Sequence, residues 1–447
     1  MITDLTVSHP RHTLWRFALP MFVSVMFQQF YNLADSMIAG RFAGEDALAA
    51  VGASYPITVI FMAFAVGSNL GASVVVSRLF GAKDYRQMKS AVSTAFLASA
   101  VLSLVLSVLG WRFCEPLMSL IRTPENIFAD GALYLRIYIY GLVFLFLYNV
   151  CTGIFTALGD SKTPLYFLIG SSVGNIVLDY LFVAWFHMGV AGVAWATFIA
   201  QGASALLALG ALICRLRKIP SSGRSPLFVP ALLAQIAAIA VPSILQQSTL
   251  SVGNLFVQEI VNRYGSATVA GYSAAVKMNT FAINCFMAFG SCLSSYTAQN
   301  LGAKKPERLP LGFREGVRLC IIAAVPFFTG YFFFGRTIMG LFLTSDSLQA
   351  IGCGVEFLRI LGPMYFMISV KLMTDGIIRG SGAMAYFVAA TIPDLVLRIF
   401  FANLLSRHFG STGIWMAWPF GWVAATGLTI LFYRRIVTGK FHDLEHL

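Results

Sequence analysis

The sequence is poor in charged side chains. Only 11% of its 447 residues are Asp, Glu, Lys or Arg, and 58% are apolar, whereas soluble domains carry about 25% charged residues. This composition excludes a soluble multidomain protein, although the length alone would allow one. Apolar runs recur from Leu14 to Phe432, and each approaches the roughly twenty residues that a helix needs to cross a bilayer. We predict an all-α polytopic membrane protein.

Motifs of the common enzyme classes are also missing. The sequence contains no HExxH and no Walker motif. Its histidines lie near span ends or in the tails, and its seven cysteines form no CxxC pair, so metal and disulfide chemistry have no motif to support them. We predict a protein that is not an enzyme and that needs no cofactor.

Positive charge is in excess, at a formal net charge of +12, but its location argues against nucleic-acid binding. The basic residues cluster in short loops between apolar runs, which is the positive-inside pattern of membrane proteins. Most of them fall on the side that carries both termini. We predict a multi-pass protein of the cell membrane, with both termini in the cytoplasm, in contact with lipid and with no nucleic-acid partner.

Twelve apolar spans can be placed along the chain, with bounds that are approximate at both ends. They are 14–40, 49–76, 90–112, 132–157, 164–186, 190–214, 231–261, 267–296, 314–335, 351–378, 384–405 and 412–433.

The second half of the chain repeats short strings of the first half in order and at a nearly constant offset. Examples are Gly81-Ala82-Lys83 with Gly302-Ala303-Lys304, and Leu135-Arg136-Ile137 with Leu358-Arg359-Ile360. One match would be noise, but several in order indicate an internal repeat. Each repeat holds six spans, so both insert in the same orientation. We predict two pseudo-symmetric six-helix bundles, at 1–218 and 219–447.

The first span carries a polar stripe that ends in an acid. Gln28, Tyr31, Asn32 and Asp35 fall on one helical face. A carboxylate at bilayer depth costs roughly 2.5–3.5 kcal/mol, so it rarely occurs there without a function. Pro20, near the start of this span, is a predicted helix bend.

The fifth span supplies a second acid. Asn175 and Asp179 are four residues apart and share a face. Together with Asp35 they would surround one pocket with two carboxylates and amide oxygens. Burial and a neighbouring carboxylate favour the protonated form, so such a pair can take up and release a proton. Oxygen ligands also suit Na⁺, and the alternative for Asn175 is an interhelical hydrogen bond.

Charges of both signs occur in the second half. Asp394 and Arg398 are four residues apart on span eleven, and we predict a structural ion pair between them. Lys371 could snorkel toward the membrane surface. Phe and Met are abundant, and those that face a central cleft would form an adaptable apolar wall for flat cationic compounds. The residues predicted to line such a cleft are Gln28, Asn32, Gln247, Asn254, Lys277, Met287 and Asp375.

Five strings carry a family resemblance. They are YNLADSMIAGRFAGEDALAAVGAS, GAKDYRQ, GIFTALGDSKTP, NIVLDY and GVAGVAWAT, and together they resemble the multidrug and toxic compound extrusion (MATE) family. The similarity runs from about Leu14 to Phe432.

This resemblance implies two six-helix bundles in a V, and export of organic compounds driven by inward flow of H⁺ or Na⁺. It also implies that the cation-coupling cluster lies in the first bundle and that span one bends at Pro20. The matching positions in this chain are Tyr31, Asp35, Asn149, Asn175, Asp179 and Thr197. Na⁺, if it is the coupling ion, would bind at Asp35, Asn175 and Asp179. We expect a functional monomer.

The main alternative is a flippase of a lipid-linked precursor from the same broad superfamily. Such a protein would be expected to carry a more cationic cleft for a diphosphate. Only Lys277, Lys371 and Arg398 are candidates for that role in this chain. We therefore rank the exporter first.

Overall fold

The computed structural model describes residues 3–38, 45–121, 123–221, 223, 225–343 and 347–438. The side chains of residues 33–38, 45–48, 250 and 252 lie outside the description, although their backbone is helical. The carboxylate of Asp35 is therefore not among the described groups. Within the described ranges the chain forms helices and connecting turns, without a strand.

Sixteen α-helices follow one another along the described chain. They are α1 (Pro10–Ile38), α2 (Glu45–Gly81), α3 (Tyr85–Arg112), α4 (Cys114–Leu120), α5 (Glu125–Tyr140), α6 (Leu142–Ala157), α7 (Lys162–Asp179), α8 (Gly189–Arg217), α9 (Pro230–Asn262), α10 (Ser266–Gly302), α11 (Leu309–Phe333), α12 (Gly335–Met339), α13 (Leu348–Leu361), α14 (Tyr365–Ser381), α15 (Met384–Phe409) and α16 (Ser411–Thr438).

The predicted spans appear as helices of the right length. Nine helical stretches of the described chain are long and apolar enough to cross a membrane, and α5 with α6 makes a tenth that bends by 49° near Gly141. The remaining two predicted spans correspond to α1, with 29 residues, and α10, with 37 residues. The prediction of an all-α, twelve-helix membrane protein is confirmed.

The helices group into two compact units. Unit 1 contains Met1–Asp4 and Val23–Ile244, and unit 2 contains Leu5–Phe22 and Leu245–Leu447. The first turns of α1 thus pack within unit 2, and those of α9 pack within unit 1. The sequence-based division at 218 and 219 stays a prediction.

The internal repeat has a counterpart in the backbone. Lys83 and Lys304 occupy equivalent positions, and both adopt the left-handed conformation, at φ 58° and 57°. This conformation is uncommon outside glycine, so its occurrence at both places shows that the two halves make the same turn after their second helix.

Equivalent glycines let neighbouring helices approach closely within each unit. A Cβ on Gly153 of α6 would lie 2.8 Å from the carbonyl oxygen of Asn69 on α2. A Cβ on Gly376 of α14 would lie 2.5 Å from the carbonyl oxygen of Gly290 on α10. Small residues at helix contacts are typical of membrane bundles, where close backbone packing supplies much of the attraction.

Candidate functional site

Helix α7 turns a polar face toward the interior of unit 1. All of its residues are described, and the only buried ones are Ser172, Asn175 and Asp179. The side chain of Asp179 is 0% exposed. The spacing of three and four residues places the three on one side of the helix, and the apolar residues between them face outward. An amphipathic helix turned polar side inward is expected where a membrane protein builds a site.

A hydrogen bond joins two of the residues predicted to couple cations. The hydroxyl of Tyr31 on α1 donates to Oδ1 of Asn175 on α7. Asp179 lies one turn farther along α7 from Asn175. The structure thus brings spans one and five together in unit 1, as the hypothesis of a shared pocket requires. Nδ2 of Asn175 is buried and has no hydrogen-bond partner within the described chain, which leaves this donor available to a ligand in the pocket.

The backbone changes its winding immediately after Asp179. Residues Tyr180–Trp185 form a π-helical turn, a rare conformation that occurs frequently at functional sites. The periodicity of the apolar residues gave no sign of this turn. It places the end of span five in a wider helix directly beside the buried acid.

The other two predicted coupling residues bond to their own helices. Nδ2 of Asn149 donates to the carbonyl oxygen of Leu145 at 2.9 Å, and the Thr197 hydroxyl donates to that of Val193 at 3.0 Å. Both side chains are half-buried. Neither is joined to Asp179 by a hydrogen bond of the described set, so their part in coupling stays a prediction.

Thr197 also lines a small cavity at the break in span four. The cavity has a volume of about 10 Å³, close to the room that one water molecule needs. Gly141, where α5 ends, and Gln201, one turn after Thr197, lie on its wall. The sequence analysis did not single out Gln201. The glycine at the break of span four marks the place of the cavity, but it does not say which residue of another span lies opposite. The lining residues are Tyr134, Ile137, Tyr138, Gly141, Ala194, Thr197, Phe198 and Gln201.

The residues predicted to line a substrate cleft differ in exposure. Gln28, Asn32, Asn254 and Lys277 are exposed. Asn32 donates a weak hydrogen bond to Gln29 at 3.4 Å. The prediction that these side chains meet a substrate stays open.

Gln247 and Met287 are half-buried. Pro20 lies inside α1, which the structure assigns as one helix through that residue, so the bend at Pro20 also stays a prediction.

Asp375 has a buried cation as its neighbour. Its Oδ2 atom lies 2.7 Å from Nζ of Lys371, and the two side chains are only 4% and 6% exposed. Arg379, one turn farther along α14, is also buried and lies over the ring of Phe387. Lys371 therefore does not snorkel, because neighbouring helices cover its whole side chain. The assignment of Asp375 to the substrate cleft stays a prediction.

Asp394 and Arg398 form an ion pair in the structure, and the structural role predicted for this pair stays a prediction. Nη2 of Arg398 lies 3.0 Å from Oδ2 of Asp394, and both side chains are 5% exposed. The guanidinium also stacks 4.3 Å from the centre of the Trp418 ring. The ring and the carboxylate together offset the cost of burying the cation.

We expect Asp394→Asn to reduce stability and to leave ion coupling intact. The amide can still accept a hydrogen bond from Arg398, but the buried guanidinium loses its counter-charge, at a cost of about 1–3 kcal/mol. The midpoint of thermal unfolding in detergent and export from energised vesicles measure the two effects separately. Normal stability with lost transport would place this pair in the coupling mechanism.

Comparison with protein families identifies the chain. The MatE family model matches residues 20–181 and 242–404, one range in each half of the internal repeat. The chain belongs to the MatE family.

Relatives within this family extend over the whole chain. The probable multidrug resistance proteins YpnP and YoeA of Bacillus subtilis are 29% and 28% identical to this member, and each alignment covers 96% of both chains. A solved structure described as the outward-facing conformation of a multidrug resistance MATE family transporter superposes with a TM-score of 0.92 at 22% identity, covering 97% of each chain.

Membership of the MatE family establishes the class of protein. It is a membrane transporter with the twelve-helix fold of the solved relatives, and its family and structural neighbours are transporters and not enzymes. The resemblance to the MATE family is confirmed. Within the described residues of unit 1, the buried polar face of α7 is the candidate site.

Proposed function

We propose that this MatE protein is a secondary active exporter that exchanges organic compounds, often cationic, for H⁺ or Na⁺ by alternating access. The observation that carries the proposal is the buried polar face of α7, on which Asp179 is fully covered. A buried acid in a membrane span is costly. Its use to an exporter is that the charge of the carboxylate site changes when a proton or a cation binds.

The coupling step follows from the chemistry of that acid. Protonation or Na⁺ binding neutralises the Asp179 carboxylate and removes most of the penalty of burying it. The conformation that closes this pocket is therefore stable only when an ion or a proton is bound there. Ion binding thus shifts the transporter toward the conformation with the closed pocket. Asp35, Asn175 and Asp179 supply the oxygen ligands for Na⁺, while the same two acids suffice for H⁺.

Substrate class is inferred from the relatives and the apolar composition. Two full-length relatives are named as probable multidrug resistance proteins. The abundance of Phe and Met in the spans fits flat apolar cations. In this proposal the protein acts as a monomer in the cell membrane, both termini lie in the cytoplasm, and no cofactor besides the coupling ion is used.

The ion pairs of unit 2 favour this proposal over a lipid-precursor flippase. Lys371 and Arg398 were two of the three candidate cations for a diphosphate. Each now has an aspartate within 3.0 Å, which leaves Lys277 as the exposed candidate of the three. A single lysine is a weak basis for binding a diphosphate.

Transport in proteoliposomes tests the proposal. The purified protein is reconstituted with a fluorescent organic cation, and a pH gradient or a Na⁺ gradient is imposed separately. Accumulation against the substrate gradient under one of the two ion gradients is the expected result. Accumulation under a pH gradient without Na⁺ would identify H⁺ as a sufficient coupling ion, and failure under both gradients would refute the antiport.

A further inference from the structure

Helices α11 and α16 meet near their ends on the side of the chain termini. The rings of Phe313 and Tyr433 stack with their centres 4.4 Å apart and an interplanar angle of 29°. Phe313 lies in the second turn of α11 and Tyr433 lies in the last two turns of α16. The two residues fall at the start of predicted span nine and at the end of predicted span twelve, which is the predicted membrane boundary.

The stacked pair determines on which side of the α11–α16 contact the neighbouring arginines lie. Successive residues turn by about 100° around a helix axis, and spans nine and twelve run in opposite directions. Arg314 and Arg318 therefore project from α11 on the same flank of the stack as Arg434 does from α16. All three side chains are exposed.

An apolar stripe continues from these arginines into the membrane on each helix. On α11 it consists of Ile322 and Val325, and on α16 of Leu431 and Val423, all exposed to about the same degree. Spacings of three, four and eight residues keep the members of a stripe on one side of the helix. The flank thus has three arginines at the predicted membrane boundary and one apolar stripe on each helix that leads from them into the membrane.

No ion pair joins the three arginines to an acid within the described chain. Glu315 is adjacent in sequence, yet its buried Oε2 atom has no hydrogen-bond partner there. Two basic residues at the corresponding end of unit 1, by contrast, contact groups of the protein itself. Arg215 lies 3.4 Å from the carboxylate of Asp160, and Lys89 donates to the carbonyl oxygen of Ile219 at 2.7 Å.

We propose that this flank of α11 and α16 binds an anionic phospholipid of the leaflet that faces the termini. The phosphate accepts hydrogen bonds from Arg314, Arg318 and Arg434, and an acyl chain lies along the two apolar stripes. Charge complementarity selects this occupant, because arginine clusters at the cytoplasmic membrane boundary attract acidic headgroups. Binding of a lipid across both helices would hold α11 against α16.

Lipid titration of the purified protein in detergent tests the proposal. Dioleoylphosphatidylglycerol is expected to raise the thermal unfolding midpoint more than the same amount of dioleoylphosphatidylcholine does. In the triple variant Arg314→Gln, Arg318→Gln, Arg434→Gln, we expect the half-saturating phosphatidylglycerol concentration to rise by more than about tenfold, because all three cations that attract the acidic headgroup are lost.

A matched variant separates this site from general charge effects. Arg86→Gln, Arg217→Gln, Lys218→Gln removes the same charge from exposed positions of unit 1 and is expected to titrate as the wild type does. Equal weakening in both triple variants would overturn the proposal, as would an equal effect of inorganic phosphate. A chain truncated after Thr438 should keep the lipid effect, and its loss there would assign the binding to residues 439–447 instead.

Discussion

Asp179→Asn is expected to abolish ion-driven export while the protein remains folded in the membrane. The amide has the size of the carboxylate but cannot take up a proton or supply a full negative charge to Na⁺. Because Asp179 is fully buried, the change also removes the cost of burying an anion, so the folded protein should be at least as stable. Export of a fluorescent cation from energised vesicles measures the loss.

Ser172 provides the matched control for this experiment. It lies on the same buried face of α7, and Ser172→Ala should retain export because it removes no ionisable group. Wild-type export by Asp179→Asn would show that the coupling site has been assigned to the wrong residue. From the sequence alone, we expect Asp35→Asn to cause the same loss of export.

Lys371→Ala is expected to cause the largest loss of stability. The substitution leaves the Asp375 carboxylate buried without the ammonium that lies 2.7 Å from it, and breaking a buried pair in this way costs about 3–5 kcal/mol. Arg379 offsets part of that cost, since it is one turn farther along the same helix. The midpoint of thermal unfolding in detergent, compared with that of the wild type, measures the effect.

The double variant Lys371→Met, Asp375→Leu controls for the loss of packing. It removes both charges of the pair and keeps similar volumes, so it should recover part of the stability that Lys371→Ala loses. Recovery is incomplete because the buried guanidinium of Arg379 loses its electrostatic interaction with Asp375. The repeat shows why this should be tolerated: Tyr148 and Thr152 occupy the equivalent positions of α6, so the fold does not require an ion pair there. A double variant no more stable than Lys371→Ala would contradict this account.

Residue spacing was sufficient to predict the features that lie within a single helix. The lengths of the apolar runs gave the spans, and the four-residue spacing of Asp394 and Arg398 gave the ion pair that the structure contains. The same spacing placed Asn175 and Asp179 on one face of α7. These features follow from helix geometry, which is the same wherever the helix lies.

Features that depend on neighbouring helices could not be predicted in this way. Lys371 could have reached the membrane surface, but α14 lies in the interior of unit 2 and its lysine is covered. The π-helical turn after Asp179 and the 49° bend at Gly141 also arise from packing. The π-helical turn has no local residue pattern that distinguishes it from a regular helix, and a glycine alone does not fix a bend at Gly141, because the energy that selects both features comes from tertiary contacts.

The movement of the coupling ion itself tests the central claim most directly. Wild-type and Asp179→Asn proteins are reconstituted with an entrapped dye for H⁺ or Na⁺, and a substrate gradient is then imposed without any ion gradient. We predict that substrate flow drives ion flow in the opposite direction through the wild type and drives none through Asp179→Asn. Equal ion flow through both proteins would contradict the assignment of coupling to the buried acid of α7.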